Sequence, residues 1–153
     1  MNNVIELSKK RGKIYLADID TFDDIEADLY IYCTTYADNV PNGSIHAEQL
    51  APSYELFIEK SAWIDKGMYK DRFEDFRILY KRELTTRKDS IRGIIQLKDF
   101  ISSGMNIVLF DDCSLGNLCH LQVLKDYLKE SGFRVFSYKN RYFLSSKNSA
   151  RRR

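Results

Sequence analysis

The sequence is poor in the residues that metal sites, phosphate loops and disulfide frameworks require. It has three cysteines and two histidines, so a site with three histidine ligands within one chain is excluded. Its seven glycines are scattered and match neither a dinucleotide-binding fingerprint nor a P-loop. We therefore expect neither a bound cofactor nor a dedicated metal site.

The chain also has neither a large excess of charge of one sign nor a long apolar run. Lysine and arginine number 24 and aspartate and glutamate 22, which leaves a formal net charge of +2. This near balance argues against a protein that coats nucleic acid nonspecifically, because such binding depends on many phosphate contacts. No apolar run approaches the roughly 20 residues that span a bilayer, and the N-terminal segment shows no signal-peptide core. We therefore expect a protein of the reducing cytoplasm.

What the chain does contain predicts one α/β domain over residues 1–146 and a basic flexible tail over 147–153. β-branched and aromatic runs predict strands within Gly12–Asp18, Asp28–Thr35, Met105–Asp112 and Phe133–Phe136, then a turn at Lys139–Asn140 and a partner strand. Apolar residues at helical spacing predict helices within Ala51–Ser61, with Pro52 first, and within Tyr69–Leu84, Ser90–Gly104 and Leu118–Gly132. The expected fold is a small, mostly parallel sheet flanked by helices.

The segment NIVLFDDCSLGNLCHLQVLKDYL runs from a predicted strand into the last helix. It places Cys113 at the carboxyl end of the strand, and Cys119 and His120 at the helix start. Open α/β sheets bind ligands at this edge, and the amides of a helix start favour anions and lower the pKa of a thiol. Cys113, Cys119 and His120 are therefore the candidate catalytic residues, with His120 as a proton relay.

Four interpretations of this corner are open. Its cysteines and histidine pack as an ordinary buried helix start, or the loop forms part of a ligand-binding or catalytic pocket. A zinc site would need a fourth ligand from Cys33 or Asp112, and the adjacent Cys119 and His120 point to different helix faces. A regulatory disulfide between Cys113 and Cys119 is the last interpretation, and a cytoplasmic setting works against it.

His120 carries the sharpest structural expectation. It lies near the edge of the helix face marked by Leu121 and Leu124, and helical side chains lean toward the N-terminus. We therefore predict that His120 is at least half buried. Its partner should be the loop, through Asp111, Asp112 or a backbone carbonyl.

Polar residues also follow the predicted strand Asp28–Thr35. If that strand neighbours Ile107–Phe110, its terminal hydroxyls face the same crevice, where they suit hydrogen bonding and stacking with a nucleotide. Ser53 approaches this crevice in one interpretation, although a first-turn serine more often satisfies a helix amide. The predicted ligand is a nucleotide or another small anion. Its predicted site is Thr34, Thr35, Tyr36, Ser53, Asp111 and Asp112.

Basic residues gather in YKRELTTRKDSIR. Arg87, Lys88 and Arg92 form a weak candidate nucleic-acid site, and with Arg134 and the C-terminal basic residues they could form one stripe. Two acids interrupt the segment, so a solvated charged face is the ordinary interpretation.

Three segments resemble a known family: LAPSYEL, RFEDFRILYKREL and CSLGNLCHLQVLKDYL at the end of a strand. In this order, after an extended segment that ends in a threonine-containing turn, they are similar to the family catalogued as domain of unknown function 488. The matching stretches are Tyr32–Tyr36, Leu50–Leu56, Phe76–Leu84 and Val108–Leu121, within Asp28–Val135. The resemblance implies a fold and a pocket position but no reaction.

Two features depart from the family pattern. Leu121 stands where the family has the arginine of a Cys-His-Arg motif, and Asp111 and Asp112 would repel phosphate. These departures keep a second function open, a noncatalytic interaction protein of phage or mobile-element origin. It would bind a protein partner through an exposed aromatic patch away from the crevice. Weak nucleic-acid binding is the third possibility.

Overall fold

The computed structural model describes residues 11–112 and 115–138, and there it confirms the predicted α/β class. Five parallel strands form one sheet in the order β3-β2-β4-β1-β5. The strands are β1 (Ile14–Asp18), β2 (Leu29–Tyr32), β3 (Ile45–His46), β4 (Ile107–Asp111) and β5 (Val135–Ser137). The helices are α1 (Tyr54–Asp65), α2 (Tyr69–Thr86), α3 (Lys88–Ser102) and α4 (His120–Glu130). No helix in these two ranges combines the length and apolarity needed to cross a bilayer.

β4 lies at the centre of the sheet because its sequence, IVLFD, suits a strand that is covered on both faces. All five of its residues are buried. It pairs with β1 on one side and with β2 on the other, which confirms that β2 neighbours Ile107–Phe110. The register aligns Asp18 with Asp111 and Tyr32 with Phe110, so the carboxyl ends of these strands meet at one edge.

The last strand–helix–strand unit spans more of the sheet than a simple βαβ unit. β4 and β5 are parallel, as predicted, but β1 lies between them and pairs with both. The connection through α4 therefore passes over β1 before the chain re-enters the sheet. The predicted turn at Lys139–Asn140, the strand after it and the tail lie outside the described residues.

The two faces of the sheet are covered differently. The four helices pack with residues such as Leu16 and Leu109 into one large core. The alternate residues of the strands belong to a smaller cluster, in which the Phe22 ring stacks on the Phe110 ring with centroids 3.9 Å apart. This alternation follows from the two-residue period of a strand. Among the described residues, the second face is covered by the short segment around Phe22 and not by an α-helix.

α1 begins later than predicted. Pro52 is not its first residue, because Ser53 is the N-cap and the helix begins at Tyr54. The Ser53 hydroxyl accepts a hydrogen bond from the Leu56 amide at 3.1 Å, which satisfies an amide that has no partner within the helix. The capping role of Ser53 is thereby confirmed.

α3 and α4 end where the sequence predicts. Gly104 and Gly132 follow them with φ angles of 95° and 97°. Glycine adopts this left-handed backbone without a steric penalty, so it commonly terminates helices.

Candidate functional site

A cavity of about 410 Å³ opens at the carboxyl ends of β2 and β4, a size within the usual range for small-molecule sites. The strand ends contribute Tyr32, Thr34, Thr35, Tyr36, Asp111 and Asp112 to its wall. α1, the residue before its cap, the loop and the start of α4 contribute Pro52, Phe57, Lys60, Ser61, Ile64, Leu115 and His120. We call this space the crevice. It forms because β2 and β4 are neighbours whose carboxyl ends lie side by side.

All the predicted ligand-binding residues except Ser53 line the crevice. The Ser53 amide donates to Glu83 Oε1 at 2.8 Å, and its hydroxyl bonds to the other oxygen of the same carboxylate. Its polar atoms therefore serve the helix cap and the link to α2. The Thr35 hydroxyl is also engaged, since it donates to the Pro52 carbonyl at 2.6 Å.

His120 is buried at the back of the crevice, with 4% of its surface exposed. Its Nε2 lies 2.8 Å from the Cys33 carbonyl oxygen and 3.2 Å from Asp111 Oδ2. A carbonyl oxygen only accepts, so Nε2 carries a proton and donates it. The Tyr80 ring meets the imidazole edge to face at 5.9 Å. The predicted burial and the contact with Asp111 are confirmed, whereas the hydrogen bond goes to the carbonyl of Cys33, after β2, and not to the loop.

Asp111 and His120 form a buried pair with opposite pKa shifts. Burial raises the pKa of Asp111 to about 6, although the Asp112 amide, 2.7 Å from Oδ1, and the charge of Lys60 oppose this rise. Burial lowers the pKa of His120 to about 3, and the charge of Lys60 acts in the same direction. At pH 7 the pair is therefore an ionised Asp111 held by a neutral imidazole.

Lys60 also lines the crevice, although it was not among the predicted site residues. It is 9% exposed, and its Nζ lies 5.2 Å and 5.6 Å from the ring centroids of Phe76 and Tyr69. Burial lowers its pKa, and the charge of Asp111 opposes this. Nζ makes no hydrogen bond or ion pair within the described part of the chain. The one signal in the sequence is its position four residues after Leu56, on the buried face of α1.

The cysteines do not join His120 in the crevice as far as the structure describes them. Cys119 is buried and lines a separate cavity of about 380 Å³, with Asp111 between the two spaces. Cys33 is a buried free thiol whose pKa is raised by burial and by the charge of Asp111. Cys113 lies outside the described residues. Within the two described ranges, no group of three or more His, Cys, Asp or Glu side chains could hold a metal ion.

The basic residues that the structure describes do not form one stripe; the C-terminal ones lie outside the described residues. α3 starts beside the crevice edge of the sheet, where Arg87 donates to the Ala51 carbonyl at 3.1 Å. It ends at the opposite edge, where the Ile101 carbonyl accepts from the Gly12 amide just before β1. Arg134 precedes β5 and therefore lies at that opposite edge. A helix antiparallel to the strands thus separates the two groups of cations.

The candidate nucleic-acid residues are partly neutralised by acids on their own helices. Arg87 pairs with Glu83 at 3.9 Å, and Arg92 pairs with Asp89 at 3.4 Å. Lys88 is exposed to solvent. This mixture of signs is typical of a solvated surface.

Comparison of the chain with protein-family models, curated proteins and solved structures found no match. The resemblance to the domain of unknown function 488 family therefore remains a prediction. Leu121, which the resemblance aligns with that family's arginine, is 6% exposed and packs in the large core. Among the described residues that line the crevice, Lys60 contributes a cation from α1.

Proposed function

We propose that this protein binds a small anionic ligand, such as a nucleotide, in the crevice. The observation that supports the proposal is the buried ammonium group of Lys60. Burial of a charge is costly unless the charge is paired, and the described residues supply no hydrogen-bond acceptor for Nζ. The phosphate or carboxylate of a ligand would provide the missing acceptor.

The rest of the lining suits a small polar molecule. Tyr32 contributes a hydroxyl group, whereas the Thr34 hydroxyl already donates to the Tyr36 carbonyl at 3.3 Å. Tyr36 is 64% exposed beside the opening, where its ring is free to stack on a base. Asp111 opposes anion binding while it is ionised. Because its pKa is about 6, the affinity for an anion should increase as the pH falls from 7 to 5.

The test is isothermal titration calorimetry with inorganic phosphate, AMP and ATP at pH 5.5 and pH 7. At least one of these anions should bind, and Lys60→Met should weaken that binding tenfold or more, because the charge is lost while the chain length is kept. Lys70→Met removes an exposed lysine from α2 and serves as the matched control. The proposal fails if no ligand with a phosphate or carboxylate group binds, or if both variants bind as the wild type does.

A second candidate function, binding of a macromolecular partner, is favoured by an aromatic patch away from the crevice. Tyr15, Phe136 and Tyr138 line a shallow depression of about 460 Å³ on the sheet face opposite the four described helices. Phe136 is 45% exposed, and its ring centroid lies 6.0 Å from that of Tyr15. Exposed aromatic groups of this kind often mark protein interfaces.

This second function is tested with Phe136→Ser in a pull-down from cell lysate. Wild-type protein should retain a stoichiometric partner that the variant loses. Tyr36→Ser, which removes an exposed aromatic ring at the crevice, should keep the partner. Absence of any stoichiometric partner from the wild-type sample would count against this function.

A further inference from the structure

We infer that the ligand of the crevice is a zwitterion, a molecule that carries an amine as well as an anionic group. This inference rests on the proposed function and narrows its substrate class. It is based on two charged side chains of opposite sign, Lys60 and Asp112, which line the same cavity. Neither makes a hydrogen bond or an ion pair with the described residues.

Lys60 defines the anionic end of the ligand. The residue is buried, with 9% of its surface exposed, and its Nζ lies 5.2 Å and 5.6 Å from the ring centroids of Phe76 and Tyr69. Aromatic rings attract a cation, but they do not accept the strong hydrogen bonds that an anion accepts. A carboxylate or phosphate oxygen in the crevice would meet this need.

Asp112 defines the cationic end. Its backbone amide is used, since it donates to Asp111 Oδ1 at 2.7 Å. Its exposed carboxylate makes no hydrogen bond or ion pair with any residue in the described ranges. The Asp111 carboxylate, in contrast, already accepts from the Asp112 amide and lies 3.2 Å from His120 Nε2. An amine that enters the crevice would therefore find its partner at Asp112.

The summed charge of the lining favours a ligand without net charge. At pH 7 the lining holds one cation, Lys60, and two anions, Asp111 and Asp112. The lining therefore has one more anion than cations. A simple anion would increase this excess of negative charge, whereas a zwitterion would leave it unchanged. Since Coulomb energies are large where water is partly excluded, the amine should increase affinity.

The apolar part of the lining suits the carbon skeleton of such a molecule. Phe57 and Ile64 contribute side chains from α1, and Leu115 contributes one from the loop before α4. These residues would cover methylene or branched alkyl groups between or beside the two charges.

The test compares two zwitterions with analogues that lack one charge. L-leucine is matched with 4-methylpentanoate and 3-methylbutylamine, and 6-aminohexanoate is matched with hexanoate and hexylamine. Calorimetric titration at pH 7 should show that at least one zwitterion binds tenfold or more tightly than both of its analogues. Asp112→Asn should abolish its advantage over the carboxylate analogue. Lys60→Met should abolish its advantage over the amine analogue.

The outcomes separate this inference from the proposed function. If a carboxylate analogue binds as tightly as its zwitterion, or if only phosphate or AMP binds, the ligand is not a zwitterion and the anion site stands. If none of the zwitterions, carboxylates, phosphate or nucleotides binds, both proposals fall. If the zwitterion keeps its full advantage in Asp112→Asn, the assignment of the amine to Asp112 is wrong.

Discussion

Asp111 and His120 should make opposite contributions to the pH dependence of stability. Burial raises the pKa of Asp111 from 3.8 to about 6, so the folded protein binds that proton more tightly than the unfolded chain. The contribution of Asp111 to the free energy of unfolding therefore increases as the pH falls from 8 to 5. Burial lowers the pKa of His120 from 6.5 to about 3. The unfolded chain takes up that proton first, so the contribution of His120 decreases over the same range.

The two contributions partly cancel in the wild-type protein. Proton linkage at about 1.4 kcal/mol per pKa unit gives a gain of about 1 kcal/mol from Asp111 between pH 8 and pH 5, and a loss of about 2 kcal/mol from His120. Asp111→Asn removes the gain, so its free energy of unfolding should fall by about 1 kcal/mol more than that of the wild type. His120→Asn removes the loss, so its stability should fall by about 2 kcal/mol less.

The assay is urea denaturation at intervals between pH 5 and pH 8, followed by the fluorescence of Trp63, the single tryptophan, which packs against the large core. Each variant is compared with the wild type at the same pH, so that contributions of the other carboxylates cancel. Parallel stability curves for the wild type and both variants would refute the reasoning. Deviations of the same sign in both variants would refute it as well.

Three further outcomes are expected. Gly12→Ala should lower the free energy of unfolding by about 3 kcal/mol or more, because the added Cβ would lie 1.7 Å from the Met105 carbonyl oxygen; an unchanged urea midpoint would contradict the close approach. Ser53→Ala should lower the free energy of unfolding by about 1–2 kcal/mol, because it removes the cap of α1 and the bond to Glu83. Ser53→Thr keeps the hydroxyl and should recover most of this loss, so equal stability of all three proteins would argue against the cap. Cys33 should resist iodoacetamide at pH 8 in the folded protein and react in urea, because its thiol is inaccessible and its pKa is raised by burial; mass-spectrometric detection of native labelling at Cys33 would show that the strand end opens.

Local sequence signals predicted most of the elements. The segment IVLFD predicts a buried strand because all five residues suit a strand covered on both faces. This prediction depends on the segment alone and not on the strands that pair with it. β3 carries no such signal. Its two residues, Ile45 and His46, form a strand because the edge of β2 offers free backbone groups, and the Ala47 amide then donates to the Tyr32 carbonyl at 2.9 Å. Pairing between distant segments created this strand.

The same distinction applies to the crevice. The contact between His120 and Asp111 was predictable because a strand end and a helix start lie nine residues apart in the chain, and helix geometry directs the side chain back toward the loop. The contact with the Cys33 carbonyl forms only because β2 lies beside β4. The sequence did not predict this neighbourhood, and the expectation for the crevice assumed it.

The burial of Lys60 depends on packing between segments. Local sequence alone predicts that α1 is a helix and that Lys60 lies one turn after Leu56 on the same face. Whether its ammonium group reaches solvent depends on how α1 packs against Phe76 and Tyr69 of α2. Burial of a charge is a property of segments that meet in space, and no local pattern of residues specifies that meeting.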